Sequence, residues 1–424
     1  MKNRITCSVS LLAAGAALAL VAAPVVREGS VAVVRAGESP VYEIAYELEN
    51  DPAVVTLDVL TNGVSIGAAN FANVRGFGRV VQPGRHVCKW RARRTWPDQQ
   101  ASNLSVKVTA WALTCPPPFL VLSLDSETPP VYYADTNAIP RWGEDANRLY
   151  KTEKMVLRRI PAANVRWRRG AGLGEPGYAN TTREVPHYVT LTKDYYMAIY
   201  PTTQEQYRRV TGNPGKTDFR RYPDFDCQPV GGVAYSSLRG RAPDVNWPLT
   251  PGETVAANSV IDQFRRKARC ETLDLPTDAE WEFACRGGVE GYQLYTGKDL
   301  SGETVAAELD EIAWYGGNSD TEGVLRPHEV GCKKPNAYGL YDMLGNVREA
   351  CLDWDYGTLS NSDGTPMVDP PGPQSCNEGS RRVYRGGSYD AAARFCCAAS
   401  RLRNAVDNWD VQYGFRFKCA AVAE

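Results

Sequence analysis

The chain has 424 residues, with 48 Lys and Arg against 49 Asp and Glu. The formal charge of -1 gives no global pull toward nucleic acid or an anionic membrane surface. That length exceeds one ordinary hydrophobic core, so two or three domains are expected; three histidines (His86, His187, His328) are too few for a multi-histidine metal centre.

Residues 1–23 read as a signal peptide. Lys2 and Arg4 form a basic start, and Ile5 to Ala23 is uncharged and mostly apolar, with Ala17, Ala19, Ala22 and Ala23 small enough for processing. The alternative for an apolar run of about 19 residues is an uncleaved anchor. With the signal removed no membrane span is expected, and the remainder is exported to the periplasm, the cell surface or the medium. Twelve cysteines less Cys7 leave eleven in that remainder. Disulfides are their default use in an oxidising compartment, and the odd number leaves one over.

Residues 28–125 read as a β-sandwich-like domain. Val41 to Leu48, Ala53 to Leu60 and Leu104 to Leu113 are rich in β-branched and aromatic residues and are separated by Gly, Asn and Pro turns. Thr61-Asn-Gly63 is a tight-turn signal. Cys88 and Cys115 flank the last strands and could pair. Arg85 to Arg94 carries six basic positions counting His86, alternating with Val87 and Trp90, which fits a solvated strand face better than an anion site. Cys115-Pro-Pro-Pro118 stiffens the exit, and residues 126–153 lack a clear period and read as a linker.

From Lys154 to the end, short strands alternate with one well-marked helix in Asp274 to Cys285. Thr277 is its N-cap with Glu280 three residues later, Trp281, Ala284 and Cys285 share a face, and Gly287-Gly288 stops it. A second helix is expected over Thr203 to Val210. Near the end, strands at Arg382 to Tyr384 and Tyr413 to Cys419 bracket a stretch dense in Arg, Asn and Asp. Gly386-Gly387 marks a turn or close backbone approach just before Ser388.

Five segments, in order, resemble the formylglycine-generating-enzyme (sulfatase-modifying-factor) domain: Met155 to Gly170, taken as its opening hairpin; Pro186 to Gln204; LPTDAEWEFACRGG (Leu275 to Gly288); Asn336 to Glu349; and Arg385-Gly-Gly-Ser-Tyr389 through Gly414-Phe-Arg416. The resemblance implies an α+β, loop-rich, C-type-lectin-like domain over 154–424, preceded by the all-β domain. In active members two cysteines after Gly-Gly-Ser-Tyr bind copper(I) and convert a sulfatase cysteine to formylglycine. The first falls here on Ala391 and the second on Cys396. Ser388 matches a family active-site serine. A bis-thiolate copper site needs both sulfurs.

The resemblance also implies that Cys285 pairs with Cys396 or Cys397, and Cys270 with Cys419. It places a structural calcium on Asp342, Gly345, Val347 and Glu349, two carboxylates and two backbone carbonyls that suit a hard cation. The expected function is therefore an exported, noncatalytic protein that binds a protein or glycan partner, and no nucleic acid. Its surface would be built from Arg394, Arg401, Arg403, Asn404, Asp407, Asn408 and Trp409, in the stretch that carries binding residues in the lectin-fold variable proteins it also resembles. The alternatives are a copper-dependent formylglycine-generating oxidase using Cys396 and Ser388, or a purely structural envelope protein.

Overall fold

The computed structural model describes residues 23–37, 41–67, 74, 77–95, 103–143, 148–172, 183–216, 222–240, 255–288, 309–355, 364–373 and 380–421. Cys7 and the apolar run up to Ala22 lie outside the described residues.

Eight strands come first: β1 (Val25–Val26), β2 (Ala32–Arg35), β3 (Val41–Glu49), β4 (Ala53–Thr61), β5 (Val64–Ser65), β6 (Arg79–Val81), β7 (Gly84–Arg91) and β8 (Leu104–Ala112), with a short helix α1 (Ala92–Thr95) after β7. One sheet is centred on β3, flanked by β1 and β2 on one side and β7 on the other. The second is centred on β4, flanked by β5 and β6 and by β8. Alternation in the sequence sets the packing: Tyr46 and Leu48 from β3, Val55, Leu57 and Val59 from β4, and Cys88 and Trp90 from β7 enter one buried core. The opposite face of β7 is solvated, with Lys89 paired to Glu43 at 3.0 Å and Val87 exposed. Asn62 and Gly63, both at positive φ, turn β4 back onto the short β5. Cys88 and Cys115 are free thiols, Cys88 in the sandwich core and Cys115 accepting from the Arg159 guanidinium at 3.1 Å.

The sandwich ends earlier than the sequence suggested. β9 (Phe119–Ser123) belongs to a second body, in a five-stranded sheet with β10 (Val131–Tyr133), β11 (Lys154–Ile160), β14 (Tyr195–Ala198) and β22 (Lys418–Ala420), in the order β10-β9-β11-β14-β22. Residues 126–153 are correspondingly more than a linker. They supply β10 and helix α2 (Leu149–Thr152), and they bury Tyr132, Tyr133, Ile139 and Tyr150. The expected hairpin over 155–170 does not form. Both edges of β11 are taken, by β9 and β14, so β12 (Val165–Arg169) pairs instead with β13 (His187–Leu191).

The remaining elements are α3 (Gln204–Thr211), α4 (Tyr235–Leu238), α5 (Val260–Ala268), α6 (Asp278–Arg286), the hairpin β15 (Asp320–Thr321) and β16 (Val324–Leu325), β17 (Arg348–Trp354), β18 (Met367–Val368), β19 (Arg381–Arg385), β20 (Arg401–Ala405) and β21 (Tyr413–Gly414). A four-stranded sheet runs β20-β19-β17-β21, and β18 joins β12 and β13. α6 starts with the expected reciprocal Thr277–Glu280 capping box and stops at Gly287 in the left-handed region. α3 is capped the same way by Thr203 and Gln206.

The two bodies meet at Gly78. Its N–H donates to Val55 O, and its carbonyl accepts from Tyr132 N, both at 2.8 Å. It sits at φ +61, where an added Cβ would lie 2.5 Å from Tyr132 O. Gly78→Ala is therefore expected to destabilise the chain by about 1–3 kcal/mol, measured as a lower denaturation midpoint; an unchanged midpoint would show that the seam contributes nothing.

Candidate functional site

The site is assembled over a buried ionic network. α6 presents Asp278 and Glu282 one turn apart, both about 1% exposed. Arg385 of β19 pairs with Asp278 and donates to Glu282 at 2.9 Å. Arg169 of β12 also pairs with Asp278, Arg401 of β20 lies 2.9 Å from it, and Arg286 donates to Glu282 at 2.6 Å. Burial alone would raise Glu282, but Arg286, Arg385 and Arg169 outweigh it and hold this carboxyl down at about 2. Asp353 on β17 accepts from the Asp278 backbone N–H at 2.7 Å. Burial, and then the Asp278 charge, push it up to about 7. Arg385 also donates to the carbonyls of Ala398 and Ser400, at 2.7 and 3.3 Å, so the network fixes the turn that carries the cysteines.

Above it, Gly386 and Gly387 both take positive φ, as a close backbone approach requires. A Cβ on Gly387 would meet Cys396 Sγ at 2.6 Å. Ser388 is buried, with its Oγ 2.5 Å from Asp390 Oδ1 and 3.1 Å from Gln412 Oε1. Cys396 is fully buried, and burial followed by the neighbouring Cys397 pushes its thiol up to about 12. Cys397 is pushed equally high by burial and points its sulfur at Arg394 O. Ala391, at the sequence position of the family's first copper cysteine, is buried and carries only a methyl. One soft ligand does not make up the pair that a linear copper(I) site needs.

The expected calcium ligands are only partly disposed for a cation. Asp342 is buried, its carboxyl pushed up to about 6 by burial, and accepts from Gly331 N and Asn346 Nδ2. Both Glu349 oxygens, however, accept from the Arg416 guanidinium at 2.7–3.1 Å, and Trp281 Nε1 donates to one of them at 2.6 Å. Glu349 is thus committed to a guanidinium, so the full set with Gly345 and Val347 does not fit a calcium ion as it stands. Among the described residues, no group of three or more His, Cys, Asp or Glu side chains could hold a metal.

Of the expected contact residues, Arg394, Asp407, Asn408 and Trp409 are exposed, and Arg403 is half-buried against Asp355 at 3.3 Å. Arg401 and Asn404, by contrast, are buried and do not belong to the exposed surface. Arg401 is committed to Asp278 beneath the surface, and Asn404 is buried and exchanges hydrogen bonds with Asn408. Arg348, Asp390 and Gln412, overlooked in the sequence, lie around Ser388 and Cys396. Arg348 lies 3.9 Å from Asp390, with its guanidinium 6.0 Å from the Tyr413 ring centroid. Gln412 accepts from Ser388 Oγ. The position of Asp390 directly after the Gly-Gly-Ser-Tyr turn was the available signal.

All ten described cysteines are free. Cys270 and Cys419 face each other closely enough to share a thiol hydrogen bond, while Cys285 is buried on α6.

Residues 151–421 match the family described as the sulfatase-modifying factor enzyme 1-like domain. The chain belongs to this family. It is 37% identical over 164 residues to the formylglycine-generating enzyme of Streptomyces coelicolor, covering 37% of this chain and 49% of that protein. It is 36% identical over 155 residues to the formylglycine-generating enzyme of Bos taurus, covering 35% and 38%. The chain thus spans half or less of the length of these curated relatives. Among solved structures it is similar to Treponema denticola variable protein 1, at 28% identity and a TM-score of 0.47, over 63% of this chain and 95% of that one. No helix among the described residues is long and apolar enough to cross a membrane.

Two outcomes follow for this family member. Native labelling with iodoacetamide at pH 8 should modify the exposed Cys332 first and leave Cys396 unmodified until the chain unfolds; early labelling of Cys396 by peptide mass mapping would contradict its burial. The second concerns pH. Asp353 has a folded pKa above its unfolded value, so its ionisation costs stability that is recovered as pH falls from about 7 toward 4. Glu282 has the opposite sign, and its contribution is present above its unfolded pKa and lost as pH falls toward about 2. Melting temperature should therefore rise from pH 8 to about pH 5 and fall below it. Asp353→Asn should flatten the rise, and an identical profile in that variant would refute the assignment.

Proposed function

We propose that this chain is an exported, noncatalytic member of the sulfatase-modifying factor family that holds a partner on the surface formed by residues 389–412. The observation that carries this reading is the single-sulfur site. Ala391 stands opposite the family's first thiol, and Cys396 is sealed under Gly387 with its thiol held in the protonated range at neutral pH. Copper-dependent oxidation needs a pair of soft ligands, and the alanine in place of one of them supports the noncatalytic reading.

Export is supported by the basic start and apolar run of residues 1–23. In an oxidising compartment the facing thiols Cys270 and Cys419 would close a disulfide that ties the end of α5 to β22, which stabilises the fold without entering the chemistry. Asp407, Asn408, Trp409 and Arg394 are exposed and offer aromatic and polar contacts. Trp and Arg are frequent anchors at such surfaces.

The test is to incubate the purified chain with copper(I) and a peptide containing Cys-x-Pro-x-Arg, then weigh the peptide and measure retained copper. No mass change and no stoichiometric copper are expected. A formylglycine product, or copper held by Cys396, would overturn the noncatalytic reading and establish the oxidase in its place.

A further inference from the structure

Trp409 is the only exposed tryptophan among the described residues, with 45% of its surface open. It is presented rigidly. Asn408 N donates to Ala405 O at 3.0 Å and Asn408 Nδ2 to Asn404 Oδ1 at 2.9 Å. On the far side, Gly232 N and Tyr413 N both donate to Asp410 O at 2.9 Å, and Ser236 N donates to Val406 O at 2.9 Å. Gly231 packs so closely on the next residue that an added Cβ would lie 1.9 Å from Val411 O. The indole is therefore exposed on a loop tied on both sides, the pre-organised presentation that lowers the ordering cost of binding.

The chemistry of the loop selects a class of ligand. Lys216 Nζ already lies 4.3 Å from the indole centroid, an internal demonstration that the ring accepts an ammonium. Asp407, exposed, and Asp410, half-buried, lie two positions before and one after the tryptophan in the same loop and make it an acidic segment. An electron-rich ring in a loop that carries two carboxylates favours a cation.

Resting on the binding surface proposed above, we infer that Trp409 with Asp407 and Asp410 receives a lysine or arginine side chain of a partner protein, and that Lys216 is the internal ammonium that competes for the same ring. Because Lys216 shares the indole, removing it strengthens the site, an outcome that nonspecific surface charge would not give in a Trp409-dependent way.

The experiment titrates the full chain with octalysine by calorimetry, using the fully Nε-acetylated peptide and maltohexaose as the other probes. Octalysine should bind and weaken with salt, and the acetylated peptide should not bind. Trp409→Ala should weaken octalysine about tenfold although it changes no charge, and Lys216→Met should tighten it in the Trp409 background only. Thermal melts of both variants check that they fold. Equal affinity in Trp409→Ala, binding of the acetylated peptide, or unchanged affinity in Lys216→Met overturns the inference. Trp409-dependent binding of maltohexaose would sink the cation assignment while leaving the proposed binding surface standing. A formylglycine product in the separate peptide assay would sink the surface reading itself.

Discussion

Four arginines and two carboxylates buried at the start of α6 are the constraint on which the family domain depends. Asp278 and Glu282 come from one helix, whereas Arg169, Arg385 and Arg401 arrive on three strands of two different sheets. Buried ions are strongly unfavourable unless each finds its partner, so the network penalises any arrangement that leaves one of these strands out of place. That makes it a device of specificity more than of net stability. In a domain with little regular secondary structure, it substitutes for the long-range register that a large sheet would provide. Arg385 extends the constraint to the cysteine turn through the Ala398 and Ser400 carbonyls, so the mouth of the site is positioned from below.

The joint between the two bodies has a different physical basis. Here a glycine backbone, hydrogen-bonded on one side to β4 and on the other to β10, lets the two main chains approach closely at that point. Val54 on the outward side of β4 then joins Leu120, Leu122 and Met155 in a shared apolar cluster. The β-sandwich is consequently packed onto the family domain as well as tethered to it.

Much of this was legible in the sequence where local rules suffice. The capping box and the glycine pair delimited α6, and β-branched runs marked β3, β4 and β8. Long-range pairing was not legible. Phe119 to Ser123 is as apolar as a sandwich strand, and nothing local says that its partner is β11. β20 was missed because Arg-Leu-Arg-Asn-Ala reads as a polar surface segment; its arginine is buried only because α6, more than a hundred residues earlier, supplies Asp278. The same remoteness made Arg401 and Asn404 look like contact residues. α5, by contrast, could have been found. Ser259 caps Asp262, and Val260, Ile261, Phe264 and Ala268 recur at helical spacing. In the site, the replacement at Ala391 was readable by position alone, whereas the role of Arg416 in occupying Glu349 required three dimensions.

The loop from Val406 to Gln412 leaves β20 and enters β21, and both of those strands lie in one hydrogen-bonded sheet with β19 and β17. Its shape is set by main-chain groups, by the Asn408 side chain on Asn404 and by glycines on the facing segment, so the identity of residue 409 contributes little to that shape. Such a separation uncouples inheritance of the scaffold from turnover of its outermost position: sequence drift there can alter the exposed surface while the architecture underneath is left intact.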